Sequence, residues 1–160
     1  MFNALPENWE KKSTEKQKVY KQLLAKSANR KVYNLLPELH EKAVEKIDCL
    51  SCAACCKNYS PRFKMPDIKR ISKYLGMKET TFISTYLVMD TDGDYVLQSK
   101  PCTFLAEDNT CSIYDYRPTD CQRFPYTDED VLIKKTAITL KNSTFCPIVY
   151  VVLEQLEQVK

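Results

Sequence analysis

The segment CLSCAACC, residues 49–56, places four cysteines within eight positions. Its pattern, C-x2-C-x2-C-C, consists of Cys49, Cys52, Cys55 and Cys56. A two-residue gap lets the chain form a tight turn whose sulfurs converge on one ion, and this spacing recurs in zinc and iron-sulfur sites. Because adjacent side chains diverge, Cys55 and Cys56 are not expected to serve one ion in the same way. We expect one of them to join a second site or to remain a free, reactive thiol.

A second group of cysteines follows at wider spacing and consists of Cys102, Cys111, Cys121 and Cys146. These gaps are too long for a local turn, so the fold has to bring the thiols together. The eight cysteines permit two four-thiolate sites, one cluster with additional thiols, or a shared multinuclear centre. We predict all eight as metal ligands, and the sequence does not choose how they divide.

The identity of the metal stays open between zinc and iron. Cys49, Cys52 and Cys55 match the first three ligands of the bacterial ferredoxin pattern, which favours an iron-sulfur cluster. A zinc site needs only four converging sulfurs. With thiolates bound to metal, nearby cations are needed to offset the negative charge, and Lys57, Arg117 and Arg123 are the candidates.

The composition favours a reducing compartment. The N-terminal residues contain no apolar run, and no stretch approaches the roughly 18 apolar residues of a membrane span. We therefore predict a cytoplasmic protein without a membrane segment. In the cytosol thiols stay reduced, and clustered cysteines there indicate metal binding or redox chemistry more often than a disulfide framework.

The scarcity of glycine and histidine argues against two kinds of functional site. The only two glycines, Gly76 and Gly93, cannot build a phosphate-binding loop or a dinucleotide fingerprint. The single histidine, His40, lies in a helical stretch and has no partner motif, so a cysteine-histidine nucleophile pair has little support.

Charge and periodicity set the N-terminal segment apart. Residues 1–48 contain ten Lys or Arg against seven Asp or Glu, whereas the remainder of the chain is balanced. We predict residues 1–46 as a helical extension that packs on a metal-binding domain of residues 47–160, the two forming one globular unit. The mixed charges indicate a solvated helix face and argue against nucleic acid. A protein partner at these basic helices stays open.

Apolar periodicity predicts a mainly helical chain with little strand, in which helices surround a loop-built, cysteine-rich metal centre. One helix is predicted to open near Pro6 and a second to start at Pro37. Further helices are predicted over 65–76, 78–89 and from Pro147 on, and the segment 90–98 predicts a turn and a short strand. The segment VLIKKTAITL, residues 131–140, is a candidate strand.

The two cysteine segments together resemble the YkgJ-like cysteine-cluster family, which is described as a zinc- or iron-chelating domain. The resemblance covers roughly residues 47–150. Beyond the first four cysteines, its motifs map to Pro101, Cys102, Phe104, Leu105, Cys111, Ile113, Tyr114, Arg117, Pro118, Cys121, Phe124 and Pro125. The chain departs from the family's pattern at Ala53, where glycine is common, and at Gln122, where arginine is common.

The resemblance implies metal binding and leaves the biological role open. An arginine beside thiolates donates hydrogen bonds and offsets their charge, so Arg117 and Arg123 are predicted to lie next to the sulfurs. In the competing interpretation, Arg117 pairs with Asp115 or Asp120 at the surface. The flagellin lysine methylases carry a similar cysteine-rich region, which keeps an enzymatic use open. The alternatives to simple metal binding are a redox or group-transfer enzyme with an iron-sulfur cluster and a zinc-stabilised protein-interaction module.

Overall fold

The computed structural model of the chain describes residues 5–159. This part of the chain is mainly helical and contains one two-stranded antiparallel sheet, which confirms the predicted fold class. The chain divides into two compact units. One consists of the residues up to Cys49 together with those from Pro125 on, and the other is Leu50–Phe124.

The first unit is built from helices at both ends of the chain. Its helices are α1 (Trp9–Glu15), α2 (Gln17–Lys26), α3 (Arg30–Val44), α9 (Val131–Lys134), α10 (Thr136–Ser143) and α11 (Pro147–Glu157). Helix α11 packs against α3 and also contacts α1, α2 and α10. Its apolar run from Ile148 to Leu153 is entirely buried. This confirms the predicted buried helix that starts at Pro147.

Helix α3 begins seven residues before the predicted start at Pro37. The side chain of Asn29 accepts a hydrogen bond from the backbone N–H of Val32 at 3.1 Å and so caps the helix at Arg30. Pro37 lies inside the helix, where its lack of an N–H removes one backbone hydrogen bond. The buried residues Val32, Leu36, Leu39 and Ala43 follow the helical period on both sides of the proline, so packing outweighs that loss.

The predicted strand over residues 131–140 is wrong, because these residues form α9 and most of α10. β-branched residues favour strands only weakly when their tertiary surroundings favour a helix. Leu132 and Ile133 are buried, and the Thr139 hydroxyl donates to the carbonyl oxygen of Leu132 at 2.7 Å. This hydrogen bond helps hold α10 against the turn before it.

The second unit contains shorter elements around an apolar core. They are α5 (Ala54–Asn58), α6 (Met65–Tyr74), α7 (Glu79–Tyr86), β1 (Leu87–Met89), β2 (Tyr95–Leu97), a 3-10 helix (Tyr114–Tyr116) and α8 (Thr119–Arg123), while α4 (Cys49–Cys52) spans the boundary of the two units. The core consists of Phe63, Ile68, Ile71, Phe82, Leu87, Leu97, Phe104 and Ile113. Cys102 and Cys111 pack against it. Two thiols are thereby anchored on a rigid apolar base.

Most of the elements predicted for this unit are confirmed. Helix α6 is followed by Gly76 at a positive φ of 67°, the conformation that a helix stop requires. The predicted helix over 78–89 ends early, at Tyr86, because residues 87–89 pair as β1 with β2 in the register Leu87 with Leu97. The predicted turn and short strand over 90–98 are present.

Within residues 5–159 no single helix has the length and apolar character needed to cross a membrane. Helices α10 and α11 reach that length only as a pair, across a bend of 113°.

Candidate metal centre

The CLSCAACC segment forms two short helical turns, α4 and α5, separated by Ala53. Ala53 has φ 45° and ψ 19°, the left-handed conformation that non-glycine residues rarely adopt. This residue interrupts the helix between Cys52 and Cys55 and therefore redirects the second pair of thiols. The departure from the family's usual glycine thus falls at a backbone position for which glycine is suited.

The second cysteine group meets this segment through the backbone. The N–H of Cys102 donates to the carbonyl oxygen of Cys56 at 2.8 Å. Leu105 and Cys111 form an isolated antiparallel bridge, next to which the N–H of Ser112 donates to the Phe104 carbonyl at 2.8 Å. Three cysteines from separate stretches are thereby fixed in one region of the second unit.

A buried carboxylate holds the helix that carries Cys121. Asp120, in α8, is only 2% exposed. Its Oδ2 accepts from Nε of Arg62 at 2.9 Å and from the Arg62 backbone N–H at 3.1 Å. No local sequence pattern predicts this anchor, because Arg62 and Asp120 are 58 positions apart. Asp120 is thus engaged by Arg62.

Four thiols of the second unit influence one another electrostatically. Burial raises the pKa of the Cys121 thiol, and Cys102, Cys56 and Cys111 raise it further. Burial also raises the pKa of Cys102 and of Cys111, and the Cys56 thiol adds to both shifts. A negative charge on any one of the four thiols therefore opposes ionisation of Cys102, Cys111 and Cys121. A divalent cation reverses that balance, because a coordinating thiol loses its proton.

Backbone N–H groups lie near two of these sulfurs. Those of Phe104 and Leu105 act to lower the pKa of the Cys102 thiol, against the larger effect of burial. That of Ile113 acts in the same direction on the Cys111 thiol. Such donors stabilise thiolate sulfur and tune a bound metal. The chain therefore supplies part of the environment of a metal-thiolate centre.

Cys56 differs from the other three thiols in its acidity. A hydrogen bond from Cys55 and the nearby Lys57 ammonium lower its pKa to about 7, although burial opposes the shift. A thiol of this acidity is substantially ionised near neutral pH and is both a good ligand and a reactive group. The sequence predicts Lys57 as a cation that offsets thiolate charge, and its ammonium group acts to lower the pKa of the Cys56 thiol.

The two predicted arginines occupy different settings. The guanidinium of Arg117 lies over the ring of Tyr114, 3.9 Å from its centroid, and acts to lower the pKa of Cys111, against the larger effect of burial. Arg123 is exposed at the end of α8. The Arg117 guanidinium therefore acts electrostatically on the Cys111 thiol.

The remaining predicted ligands lie outside the set of four. Cys49 is exposed and Cys146 is buried, and both belong to the first unit. Cys52 is half-buried in the second unit, and Cys55 contacts Cys56. The electrostatic grouping therefore does not follow the order of the cysteines along the chain, because Cys56 of the first segment is grouped with three cysteines of the second group.

The four thiols do not yet surround one point. In the part of the chain that the structure describes, no group of three or more Cys, His, Asp or Glu side chains has an arrangement that could hold a metal ion. The electrostatic grouping is compatible with this finding, because charge effects reach farther than a zinc–sulfur bond of about 2.3 Å. The donor set suits zinc or iron chemically, and binding requires the side chains to close on the ion.

Residues 48–147 match the model of the CxxCxxCC family, whose description is "putative zinc- or iron-chelating domain". The chain belongs to this family. No curated protein and no solved structure matches the chain. The residues that match the CxxCxxCC model include all eight cysteines. Zinc and iron are both metals that thiolates bind well.

Proposed function

We propose that the chain holds a zinc or iron ion through the thiolates of Cys56, Cys102, Cys111 and Cys121. The supporting observation is that all pairs of these four thiols interact within one compact unit. Four sulfur donors are the number that a closed structural zinc site or an iron-sulfur cluster takes from a protein.

The chain's own residues prepare the sulfurs for an ion. The backbone N–H groups of Phe104, Leu105 and Ile113 act to lower the pKa of two of the thiols, Cys102 and Cys111. The link between Cys102 and Cys56 sets the spacing of two ligand-bearing segments. A bound ion supplies the positive charge that lets the four half-buried thiols ionise together. Cys49, Cys52, Cys55 and Cys146 stay predicted metal ligands.

The proposed role is metal handling, metal sensing or structural stabilisation in the cytoplasm, where the thiols stay reduced. A structural role is supported by the thiols' contact with the apolar core, since an ion bound there couples directly to folding.

A second candidate function is a redox or group-transfer enzyme with an iron-sulfur cluster. The supporting observation is Cys56, an acidic thiol in contact with the neighbouring thiol of Cys55. The interaction-module role of the basic N-terminal helices stays a prediction.

Elemental analysis of anaerobically purified protein tests the proposal and separates the candidates. The cells should be supplied with both zinc and iron, and a variant with serine at all four positions should be prepared in parallel. Stoichiometric zinc in a colourless protein supports the structural class, whereas a brown protein with iron and sulfide supports a cluster. Metal-free wild-type protein, or equal metal in the serine variant, contradicts the proposed site.

A further inference from the structure

Two segments of the chain that contain no acidic residue lie side by side in the first unit. Residues 16–37 contain six Lys or Arg and no Asp or Glu, and residues 131–153 contain three Lys and no Asp or Glu. Their helices α2 and α10 contact each other. The side-chain amide of Gln17 donates to the hydroxyl oxygen of Ser143 at 3.0 Å, across 126 positions of sequence. Neither segment therefore supplies acidic residues to offset the charge of the other.

The basic face of α2 consists of the three lysines of this helix, Lys18, Lys21 and Lys26. All three are exposed, whereas Tyr20 and Leu24 on the opposite side of the helix are buried. None of the three lysines forms an ion pair in the described part of the chain. Three cations are therefore presented to solvent from a helix whose other side is packed in the core.

Other lysines of the first unit are paired with acidic residues. The pairs are Lys11 with Glu15, Lys42 with Glu38, Lys134 with Asp130, and Lys16 with both Glu154 and Glu157. Helix α2 contains no acidic residue, although such residues stabilise a helix in its first turn or beside a lysine. Lys18 and Lys21 also occupy neighbouring positions on the helix surface, where like charges repel. Helix stability therefore does not explain the basic face, which favours a role in binding.

The surroundings of the basic face distinguish between classes of anionic partner. The exposed side of α2 carries no aromatic side chain on which a nucleic-acid base could stack. Its apolar side is buried in the unit and is not available to enter a membrane interface. Val19, beside Lys18, is 41% exposed, and Ile138 of the adjacent α10 is 45% exposed. Single aliphatic side chains near the cations fit a partner that carries both negative and apolar side chains.

We propose that the basic face of α2 binds an acidic segment of a partner protein, in which Asp or Glu residues are interspersed with apolar ones. Carboxylates of the segment pair with the three lysines. Charge pairs at the rim of an interface give association rate and specificity more than affinity, and salt screens them. The basic face belongs to the first unit, so binding does not depend on the metal site proposed for the second unit.

Fluorescence anisotropy of a labelled peptide rich in glutamate and leucine tests the proposal, with the whole chain at low salt. A peptide with glutamine in place of glutamate is the control for charge. Labelled polyuridylate and vesicles that contain phosphatidylserine are the probes for nucleic acid and for a membrane. The α2 variant carries Lys18→Gln, Lys21→Gln and Lys26→Gln. The matched control makes the same charge change on exposed lysines of the second unit and carries Lys69→Gln, Lys73→Gln and Lys78→Gln.

Wild-type protein should bind the glutamate peptide and should not bind the glutamine peptide. The α2 variant should bind the glutamate peptide about tenfold more weakly, the size expected when three exposed ion pairs are lost. This difference should shrink as the salt concentration rises, because salt screens exposed charges. The control variant should bind like wild type, and circular dichroism should show that both variants keep the fold.

Three outcomes overturn the proposal. If wild-type protein does not bind the glutamate peptide, the basic face does not recognise an acidic segment. If the control variant loses as much affinity as the α2 variant, the net charge of the protein attracts the peptide and the basic face does not. If wild-type protein binds polyuridylate or the vesicles more tightly than the peptide at the same salt concentration, the basic face serves another class of partner.

Discussion

The backbone N–H of Cys102 donates to the carbonyl oxygen of Cys56 across 2.8 Å. This hydrogen bond joins the two cysteine segments without any contribution from sulfur. Replacement of a thiol by a hydroxyl therefore leaves the link in place. Loss of a metal ligand and loss of the fold can be measured separately.

The first prediction concerns which thiols hold the ion. Cys102→Ser should reduce metal affinity by more than roughly 100-fold, because even residues that only support a ligand contribute up to that amount. Cys49→Ser, at an exposed position in the other unit, should keep the ion of the four-thiol site. Chelator competition gives the affinities, and circular dichroism checks the fold. Equal losses in the two variants would show that the set of four is wrongly chosen.

The second prediction concerns closure of the thiols on the ion. Added metal should slow amide hydrogen exchange in the segments around Cys56, Cys102, Cys111 and Cys121. At a free metal concentration of 100 times Kd, the linked stabilisation is about 2.7 kcal/mol. Mass spectrometry of exchanged peptides locates the effect, and the variant with serine at these four positions should show none. Unchanged exchange in wild-type protein would mean that no closure takes place.

The third prediction uses the left-handed backbone at Ala53. Ala53→Gly should relieve about 1–2 kcal/mol of backbone strain. Two effects partly offset this gain: the substitution removes a buried methyl group, and glycine has greater conformational freedom in the unfolded chain. We expect a small net gain of about 0.5 kcal/mol in the free energy of unfolding. Ala54→Gly, in the first turn of α5, should lower it. Denaturant titration of metal-free protein tests this, and a ranking with Ala54→Gly above Ala53→Gly contradicts it.

The fourth prediction concerns the buried carboxylate of Asp67. Burial opposes its ionisation, but donors from Arg70, the Lys64 backbone and Thr119 outweigh burial and hold its pKa below the ordinary value. The carboxylate therefore stabilises the fold above about pH 4, and this contribution is lost as pH falls through the lowered pKa. Asp67→Asn should reduce the free energy of unfolding by about 1.5–3 kcal/mol at pH 7.

Urea unfolding across a pH series measures this effect. The difference between Asp67→Asn and wild type should shrink below about pH 4. The control is Asp92→Asn, at an exposed position, which should unfold like wild type throughout. A difference that stays constant as the pH falls would contradict the assigned role of the carboxylate.

The local sequence predicts correctly those helices whose buried residues and end signals agree with the apolar pattern of the segment. The apolar run after Pro147 and the Gly76 stop are examples, and both are confirmed. The β-branched residues of 131–140 predict a strand, but the tertiary surroundings favour helices there. Pro37 predicts a helix start, but the capping residue of α3 is Asn29.

The cysteines themselves could be identified from the sequence, but their grouping could not. The spacing leaves open how Cys49, Cys52, Cys55 and Cys56 divide between ions. A backbone hydrogen bond in the structure joins Cys56 to Cys102. The same limit applies to Arg62 and Asp120, which pair across 58 positions. Arg117 was predicted beside the sulfurs, but its position over the Tyr114 ring is visible only in three dimensions.

The pairing of α3 with α11 has a consequence for the order of events during synthesis. Helix α3 is synthesised more than one hundred residues before α11. The first unit therefore stays incomplete while residues 50–124, which contain most of the cysteines, are already translated. The nascent thiols of residues 50–124 are therefore available for capture of an ion from the cell's metal pool before the rest of the chain is synthesised.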